Sequence, residues 1–303
     1  MIPSISVIVS TRNRPEQVVT CVRHVLATPG IDFELIVVDQ SPEAQCERAR
    51  SAIGTDSRLR WVHSSTQGLS ISRNLGLSLA RAPLVAFTDD DCEVPVDWLA
   101  SIQREFAANE RADMLFGAVA LPEEERGSGY AADFLPAARM EFSAGVLDIR
   151  NPWGIGANMA FRREVFDQVG GFDAVLGAGT AFYAGEETDL TIRAVARGFR
   201  GVLTPDVRVL HRGVRHGADA SRLVRGYGIG LGATLAKHRR LRTRGASHLL
   251  AQALQHNSLR SLRRLLRGDR HPGFGWIAAF LLGAARSRHL DIDRERSLFI
   301  SPE

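Results

Sequence analysis

Three consecutive carboxylates, Asp89, Asp90 and Asp91, directly follow the apolar run LVAF at 84–87. A short apolar run with a proline before it is typical of a strand buried in the centre of a parallel sheet. Unpaired carboxylates cannot be buried without a large desolvation cost, so these three must face a cleft at the end of the strand. Open α/β sheets bind ligands just outside such strand ends, and hard divalent cations prefer oxygen ligands. The pattern predicts a divalent metal site; a solvated acidic turn is the alternative.

The elements that must position these acids alternate between strand and helix. This alternation predicts an α/β fold with a Rossmann-like, mostly parallel sheet flanked by helices. Apolar runs predict strands at 5–9, 35–38, 59–62, 84–87, 114–119, 154–161, 201–203 and 207–210. Helical spacing predicts a helix through 18–26 with Pro15 near its first turn, helices at 69–79, 96–108 and 186–197, and a short helix that Gly170 and Gly171 end. The glycine-containing segment 176–185 is predicted to be a mobile loop.

Composition limits the class of protein. With 303 residues and 45% apolar residues, the chain can bury a sizeable core. Its three cysteines are scattered and odd in number, which favours a reducing compartment and argues against a disulfide framework or a zinc cluster. The N-terminus enters a strand by Ile5 without a signal-peptide pattern, so we expect a cytoplasmic protein.

Charge divides the chain unequally. Residues 1–192 carry 16 Lys+Arg and 27 Asp+Glu, whereas residues 193–303 carry 22 and 7. We expect two domains, an α/β domain over 1–212 and a basic helical region over 213–303. The basic region can bind an anionic membrane surface, nucleic acid or an acidic partner, or form a solvated helical face. The apolar stretch 274–285 is too short to span a bilayer; it fits a membrane interface or a helix packed on the main domain.

Six motifs in the first 212 residues occur in the order found in family 2 glycosyltransferases with the GT-A fold, and the chain resembles that family. The motifs are VIVSTRNR at 7–14, VVD at 37–39, Gly68 with RNLG at 73–76, FTDDD at 87–91, GANMA at 156–160 with GGFD at 170–173, and GEETDL at 185–190. The resemblance implies an inverting transfer of a sugar from a nucleotide-sugar to an acceptor hydroxyl.

The resemblance assigns the metal site. A divalent ion, Mn²⁺ or Mg²⁺, would bridge the diphosphate of the donor and stabilise its charge as a Lewis acid. Asp91 is the expected direct ligand, and Asp89 is given to the metal or to the ribose. Asp90 is given to the donor. His211 resembles the histidine that completes the metal site in many relatives, although a lone histidine also fits a structural role.

The resemblance also places the rest of the donor. Thr11 and Arg12, in the loop after the first strand, are expected to hold the nucleotide base and ribose. Asp39 resembles the residue that reads the edge of the base; Gln40 stands after it where the family usually has a second aspartate. Arg73 can meet the diphosphate or the base, and it can equally be a salt-bridge partner in the core.

The acceptor hydroxyl must lose a proton to a general base, and a carboxylate across the cleft from the metal can take it. The resemblance gives this role to the pair Glu186 and Glu187, with Glu187 at the position where the family usually has aspartate. Asp189 and Asn158 are expected to bind the acceptor. Trp153 is either a platform on which an acceptor sugar stacks or a core residue.

We therefore expect a hexosyl- or deoxyhexosyltransferase that acts on a glycan or lipid-linked acceptor, peripheral to the cytoplasmic face of a membrane. One alternative is a sugar nucleotidyltransferase. Such an enzyme would require a glycine-rich phosphate loop after the first strand, and the sequence STRN at 10–13 contains no glycine. The other is a nucleic-acid or anionic-surface binding protein; the basic region has few aromatic residues on which bases could stack, so nucleic acid is not the expected partner.

Overall fold

The N-terminal half of the chain builds most of the parallel sheet. The computed structural model describes residues 2–143, 154–266 and 273–300. The elements of this half are β1 (Ile5–Thr11), α1 (Pro15–Leu26), β2 (Phe33–Asp39), α2 (Glu43–Ile53), β3 (Leu59–His63), α3 (Leu69–Leu79), β4 (Leu84–Asp89), β5 (Cys92–Glu93), α4 (Trp98–Ala108) and β6 (Met114–Ala120). Helix α2 has no counterpart among the predicted helices, because only Cys46 and Ala49 along it are buried.

The second half completes the sheet and adds helices. Its elements are β7 (Met140–Phe142), β8 (Asn158–Arg162), α5 (Arg163–Val169), α6 (Glu186–Ala196), β9 (Gly201–His211), α7 (Gly217–Arg240), α8 (Ala246–Leu266), α9 (Gly273–Arg286), β10 (Ile292–Asp293) and β11 (Leu298–Phe299). The two strands predicted at 201–203 and 207–210 form a single strand, β9. The register of its pairing with β6 shifts between Gly117 and Ala118, and residues 205–207 of β9 have no partner on β6 at this shift.

The main sheet has the strand order β3-β2-β1-β4-β8-β6-β9-β5, with β7 beside β9. Strands β1 to β4 pair in parallel, as do β6 and β9, whereas β8 and β5 run antiparallel to their neighbours. Both faces of the sheet are covered, so the central strands carry apolar residues almost without alternation, as in β2, where all seven residues are buried. Because β1 pairs in parallel with both β2 and β4, the carboxyl ends of these three strands meet at one edge of the sheet.

The C-terminal helices pack closely on one another. A Cβ on Gly232 of α7 would lie 2.0 Å from the carbonyl oxygen of Phe280, and a Cβ on Gly283 of α9 would lie 2.0 Å from that of Ile229. Glycine at these positions allows the two helix backbones to approach. On its other side α7 contacts α6. Among the described residues, no helix combines the length and apolar character needed to cross a membrane. The expected domain boundary at 212 stays a prediction.

Candidate active site

The acidic cluster lies where the sequence predicts it, at the carboxyl end of β4. Asp89 is the last residue of the strand, and the chain turns through Asp90 and Asp91 into β5. Strand β5 pairs with the end of β9, with Cys92 opposite His211, and this register brings the imidazole to the acids. Nε2 of His211 lies 3.2 Å from Oδ1 of Asp91. Asp89, Asp91 and His211 each offer a ligand atom, and these atoms all lie within 4.8 Å of one another.

This donor set fits a hard or borderline divalent cation. Two carboxylates and one imidazole suit Mn²⁺, and the carboxylates alone suit Mg²⁺. Asp91 is ready to bind a cation in its ionised form: burial opposes ionisation, but His211, Arg14 and Arg215 outweigh it and hold the pKa of Asp91 below its ordinary value. Three protein ligands leave room in the coordination shell for oxygens of a diphosphate.

Asp90 points away from this group, toward the loop after β1. Its Oδ2 accepts a hydrogen bond from Oγ1 of Thr11 at 2.7 Å, and its Oδ1 lies 2.8 Å from Nη1 of Arg14. The same nitrogen of Arg14 also lies 2.8 Å from Oδ2 of Asp91. The pKa of Asp90 is raised to about 6, because burial and repulsion from Asp91 together outweigh the attraction of Arg14. Thr11 is therefore engaged with the acidic turn, while Arg12 is exposed.

Arg73 joins the acidic cluster to helix α6. Its side chain is only 2% exposed, and its Nη2 lies 3.0 Å from Oδ1 of Asp89 while its Nη1 lies 2.9 Å from Oε1 of Glu186. The carbonyl oxygen of Gly156 accepts a further hydrogen bond at 3.2 Å. Arg73 is therefore a buried salt-bridge partner, and its expected contact with the diphosphate or the base stays a prediction. A guanidinium with two carboxylate partners fixes the start of α6 beside the end of β4.

Glu186 and Glu187 begin α6 immediately after Gly185, which adopts a positive φ of 92°. Glu186 is paired with Arg73, whereas in the part of the chain that the structure describes no salt bridge reaches Glu187. Partial burial, followed by repulsion from Glu186, raises the pKa of Glu187 to about 8. On α7, the ring of Tyr227 lies 6.4 Å from the ring of Tyr130. Burial, then the phenol of Tyr130 and the charge of Glu187, raise the pKa of the Tyr227 phenol. A carboxyl group with so high a pKa is a strong base.

A model of glycosyl transferase family 2 matches residues 6–170, which is more than half of the chain. The chain belongs to glycosyl transferase family 2. Among curated relatives, a glucosyl-dolichyl phosphate glucuronosyltransferase of Haloferax volcanii is 27% identical over 218 residues, which cover 69% of this chain and 69% of that protein.

Solved structures show that the fold of this glycosyltransferase is of the predicted GT-A type. The mannosyltransferase PcManGT from Pyrobaculum calidifontis, in complex with GDP-Man and Mn²⁺, superposes with a TM-score of 0.62 at 18% identity, over 95% of this chain and 88% of that one. TarS residues 1–349 of S. aureus, in complex with UDP-GlcNAc, superpose with a TM-score of 0.59 at 17% identity, over 93% and 81%. These likenesses confirm the α/β architecture with a mostly parallel sheet.

Asp189 of the glycosyltransferase lies in a closed cluster of charges and not in the cleft. It is fully buried, with Nζ of Lys237 at 2.6 Å, Nε of Arg193 at 2.8 Å and Nε2 of His238 at 2.9 Å. Burial would raise the pKa of Asp189, but Lys237 and Arg193 outweigh it and hold the pKa far below its usual range. An acceptor hydroxyl has no access to its oxygens, so the expected acceptor role is replaced by a structural one.

Lys237 is the only lysine in the sequence, and its side chain is fully buried between α6 and α7. Besides Asp189, its Nζ lies 2.7 Å from Oδ2 of Asp173. The same Oδ2 accepts the backbone N–H of Phe299 in β11 at 2.8 Å, and Nζ lies 5.0 Å from the centre of the Phe299 ring. With Arg193, the cluster holds two acids and two cations. It joins the helix that carries Glu187 to the C-terminal part of the chain.

Asn158 is also structural. Its Nδ2 donates to the carbonyl oxygens of Ala118 and Val207 at 2.9 and 3.0 Å, and its Oδ1 accepts from Nε1 of Trp98 at 3.0 Å. The side chain is fully buried and its hydrogen-bonding atoms are engaged, so it joins β6, β8, β9 and α4 and is closed to an acceptor. Trp153 lies outside the described residues.

Asp39 lies at the end of β2, where its Oδ1 accepts the backbone N–H of Ser41 at 2.8 Å. The side chain of Gln40 joins two other segments: its Nε2 donates to Oγ1 of Thr66 at 3.0 Å, and its Oε1 accepts the N–H of Gly68 at 3.2 Å. Gln40 therefore holds the loop before α3 next to the end of β2.

Three residues of the site were not singled out from the sequence. Arg14 and Arg215 both approach Asp91, the latter with Nη2 at 3.7 Å from Oδ2, and Tyr227 of α7 has the pKa of its phenol raised by burial, by Tyr130 and by Glu187. Arg14 occurs within the first motif, so its position was available from the sequence although its partner was not. Arg215 and Tyr227 lie beyond residue 170, the end of the region that the family model matches.

Proposed function

We propose that this chain is an inverting, metal-dependent glycosyltransferase that moves a sugar from a nucleoside diphosphate sugar to a hydroxyl of a glycan or lipid-linked acceptor. One observation carries the proposal. Buried Arg73 ties Asp89 of the acidic cluster to Glu186, and Glu187 therefore begins its helix beside the candidate metal ligands. A donor site and a base on opposite sides of one cleft are what a single displacement at an anomeric carbon requires.

Asp89, Asp91 and His211 would hold the metal. Bound there, Mn²⁺ or Mg²⁺ supplies Lewis-acid stabilisation of the charge that develops on the departing diphosphate. Thr11, Arg12 and Asp39 stay the expected contacts to the nucleotide; Thr11 and Asp39 end β1 and β2, and Arg12 begins the loop after β1. The two similar structures contain different nucleotides, GDP-Man with Mn²⁺ in one and UDP-GlcNAc in the other, so both bases belong in a donor screen. The donated sugar is expected to be a hexose or a deoxyhexose.

Glu187 is the residue that we assign as general base. The bond from the anomeric carbon to the diphosphate oxygen breaks as the acceptor oxygen forms a new bond on the opposite face of the sugar. The acceptor proton passes to the carboxylate of Glu187, and the nucleoside diphosphate leaves with the electron pair. Glu186 is held by Arg73 and serves to position the helix. Family membership supports this reaction over nucleotidyl transfer.

We also propose that the enzyme works on the cytoplasmic face of a membrane. One face of α9 packs on α7, and the opposite face exposes Leu281 (53%) and Leu282 (38%), next to the exposed side chains of Arg286 and Arg288. Exposed leucines beside arginines match the interface of an anionic bilayer. Co-sedimentation should be stronger with phosphatidylglycerol vesicles than with phosphatidylcholine vesicles and should fall in a Leu281→Asp, Leu282→Asp double variant; equal sedimentation with both lipids would contradict the proposal.

A screen of nucleotide-sugars tests the central proposal. UDP-, GDP- and dTDP-linked sugars are incubated with Mn²⁺, Mg²⁺ or EDTA, and release of nucleoside diphosphate is measured. We expect metal-dependent release from at least one donor. Asp91→Ala should abolish donor binding that depends on metal, whereas Asp206→Ala, which removes an exposed carboxylate elsewhere on β9, should leave it unchanged. Glu187→Gln should keep donor binding and lose transfer. Release of pyrophosphate in place of nucleoside diphosphate would refute sugar transfer.

A further inference from the structure

A cavity of about 280 Å³ lies beside the active site, between the loop 176–185 and the first turns of α7. Its lining includes Tyr183 from the loop, Arg215 from the segment after β9, and Asp219, Arg222 and Gly226 from α7. A cavity of this size can hold one or two sugar rings. No residue named in the reaction so far lines it.

The cavity adjoins both halves of the reaction centre. At one end Arg215 lines it and also approaches Asp91, with Nη2 3.7 Å from Oδ2. At the other, the lining residue Ala178 follows Gly177, where a Cβ would lie 3.3 Å from Oε2 of Glu186. Gly226 is followed on α7 by Tyr227, whose ring lies 6.4 Å from that of Tyr130. A molecule in this cavity therefore lies near Asp91 at one end and near Glu186, at the start of α6, at the other.

Tyr183 gives the cavity an aromatic wall. Its backbone has a φ of 64°, an uncommon conformation for a residue other than glycine, and its side chain is half exposed. The structure accommodates it through Gly226, where a Cβ would lie 3.2 Å from the Cβ of Tyr183. An exposed aromatic ring in a strained backbone conformation at a cleft is typical of a binding surface, and sugar rings stack on such rings.

Arg222 gives the cavity a cation that is open to a ligand. Its Nη1 lies 3.0 Å from Oδ1 of Asp219, one turn earlier on the same helix, and both side chains are largely exposed. Such a surface pair is weak, so an anionic ligand can compete with Asp219 for the guanidinium. Guanidinium groups bind phosphates and carboxylates through two parallel hydrogen bonds.

We propose that this cavity is the acceptor subsite and that the acceptor presents a sugar that bears a phosphate or carboxylate. The sugar ring lies against Tyr183 and the anionic group binds Arg222. This inference rests on the proposed glycosyltransferase function and names the class of acceptor for it.

The test measures the affinity of three simple probes by calorimetry: glucose 6-phosphate, methyl glucuronide and the neutral methyl glucoside. Each is titrated into the full chain, alone and with Mn²⁺ and the nucleoside diphosphate that the donor screen identifies. The variants are Arg222→Gln, Asp219→Asn and Tyr183→Ala. Arg225→Gln is the matched control, because Arg225 is an exposed arginine on the same helix that does not line the cavity. Arg215 is left intact because it also approaches Asp91.

We expect the charged probes to bind about tenfold more tightly than the neutral one, which is the preference that one charge-assisted contact supplies. Arg222→Gln should remove this preference and Arg225→Gln should keep it. Asp219→Asn should strengthen binding of the charged probes about threefold, because a weak competing pair is lost. Tyr183→Ala should weaken all three probes alike. Nucleoside diphosphate should leave these affinities unchanged.

Equal affinity for charged and neutral probes, or the same loss in Arg225→Gln as in Arg222→Gln, would overturn the inference. Displacement of the probes by the nucleotide would also overturn it, because the cavity would then belong to the donor. These outcomes are distinct from failure of the proposed function, in which no nucleotide-sugar binds at all.

Discussion

Replacing Glu187 by Gln should stabilise the folded protein at neutral pH although it removes the proposed base. Partial burial, and then the charge of Glu186, raise the pKa of this carboxyl from 4.5 to about 8. At pH 7 the group is ionised in the unfolded chain and mostly protonated in the folded one. Below about pH 4.5 Glu187 is protonated in both states and costs no folding free energy. Its cost in the free energy of folding grows as the pH rises from 4.5 to about 8. Glutamine cannot ionise and carries no such penalty.

The size of the effect comes from the span between the two pKa values. Each pH unit between 4.5 and 8 is worth about 1.4 kcal/mol, so the upper limit at pH 7 is about 3 kcal/mol. Because Glu187 is only partly buried, solvent screening reduces this value, and we expect a gain of about 1.5–3 kcal/mol in the free energy of unfolding. At pH 5 the gain should fall below about 1 kcal/mol.

Urea denaturation at pH 5 and pH 7.5, in EDTA and without nucleotide, measures these differences directly. The neighbouring substitution Glu186→Gln is the matched control, since it removes a buried partner of Arg73 and should destabilise the fold by about 2–4 kcal/mol. The two adjacent glutamates should therefore respond with opposite signs. If Glu187→Gln is less stable than the parent at pH 7.5, or if the difference in stability is the same at both pH values, folding does not disfavour the ionised form of Glu187, and the prediction is wrong.

Three further predictions concern the metal, the buried cluster and the base. His211→Asn should weaken Mn²⁺ binding at least about tenfold, measured by electron paramagnetic resonance; unchanged affinity would remove the imidazole from the ligand set. Lys237→Met leaves Asp173 and Asp189 without their shared cation, and urea unfolding should show a loss of about 3–5 kcal/mol; a loss under about 1 kcal/mol would mean that the ammonium does not neutralise them. The single-turnover rate of transfer should rise with pH, reach half its maximum near pH 8 and level off above about pH 9, as Glu187 loses its proton; a rate that is constant from pH 6 to pH 9 would point to another base.

The sheet and the acidic cluster were predictable because local sequence determines them. An apolar run followed by acids favours a buried strand that ends at a surface, and this places Asp89 and Asp91 at the sheet edge. Helix α2 was missed because its exposed face dominates its sequence, and the joined strand β9 because a polar segment interrupts it. Periodicity detects the burial of a face, and these two segments show little of it.

The roles of individual side chains depended on partners distant in sequence. Glu187 and Asp189 are two residues apart on one helix, yet the first borders the cleft and the second is enclosed by Lys237, nearly fifty residues later. The choice between two roles for Arg73 likewise depended on Glu186, which is 113 positions away. Asn158 is expected from the sequence to bind the acceptor, but its side chain donates hydrogen bonds to β6 and β9 and accepts one from Trp98 of α4. Such pairings exist only in the folded chain.

The burial of Lys237 gives this protein an unusual chemical surface. Every other lysine or arginine position in the sequence is arginine, so the folded chain offers no accessible side-chain amine to acylating reagents or aldehydes. Modification of that one residue requires the contact between α6 and α7 to open. Peptide mass spectrometry after a brief pulse of an amine-reactive ester would therefore count, from acylation of Lys237, the molecules in which α6 has separated from α7.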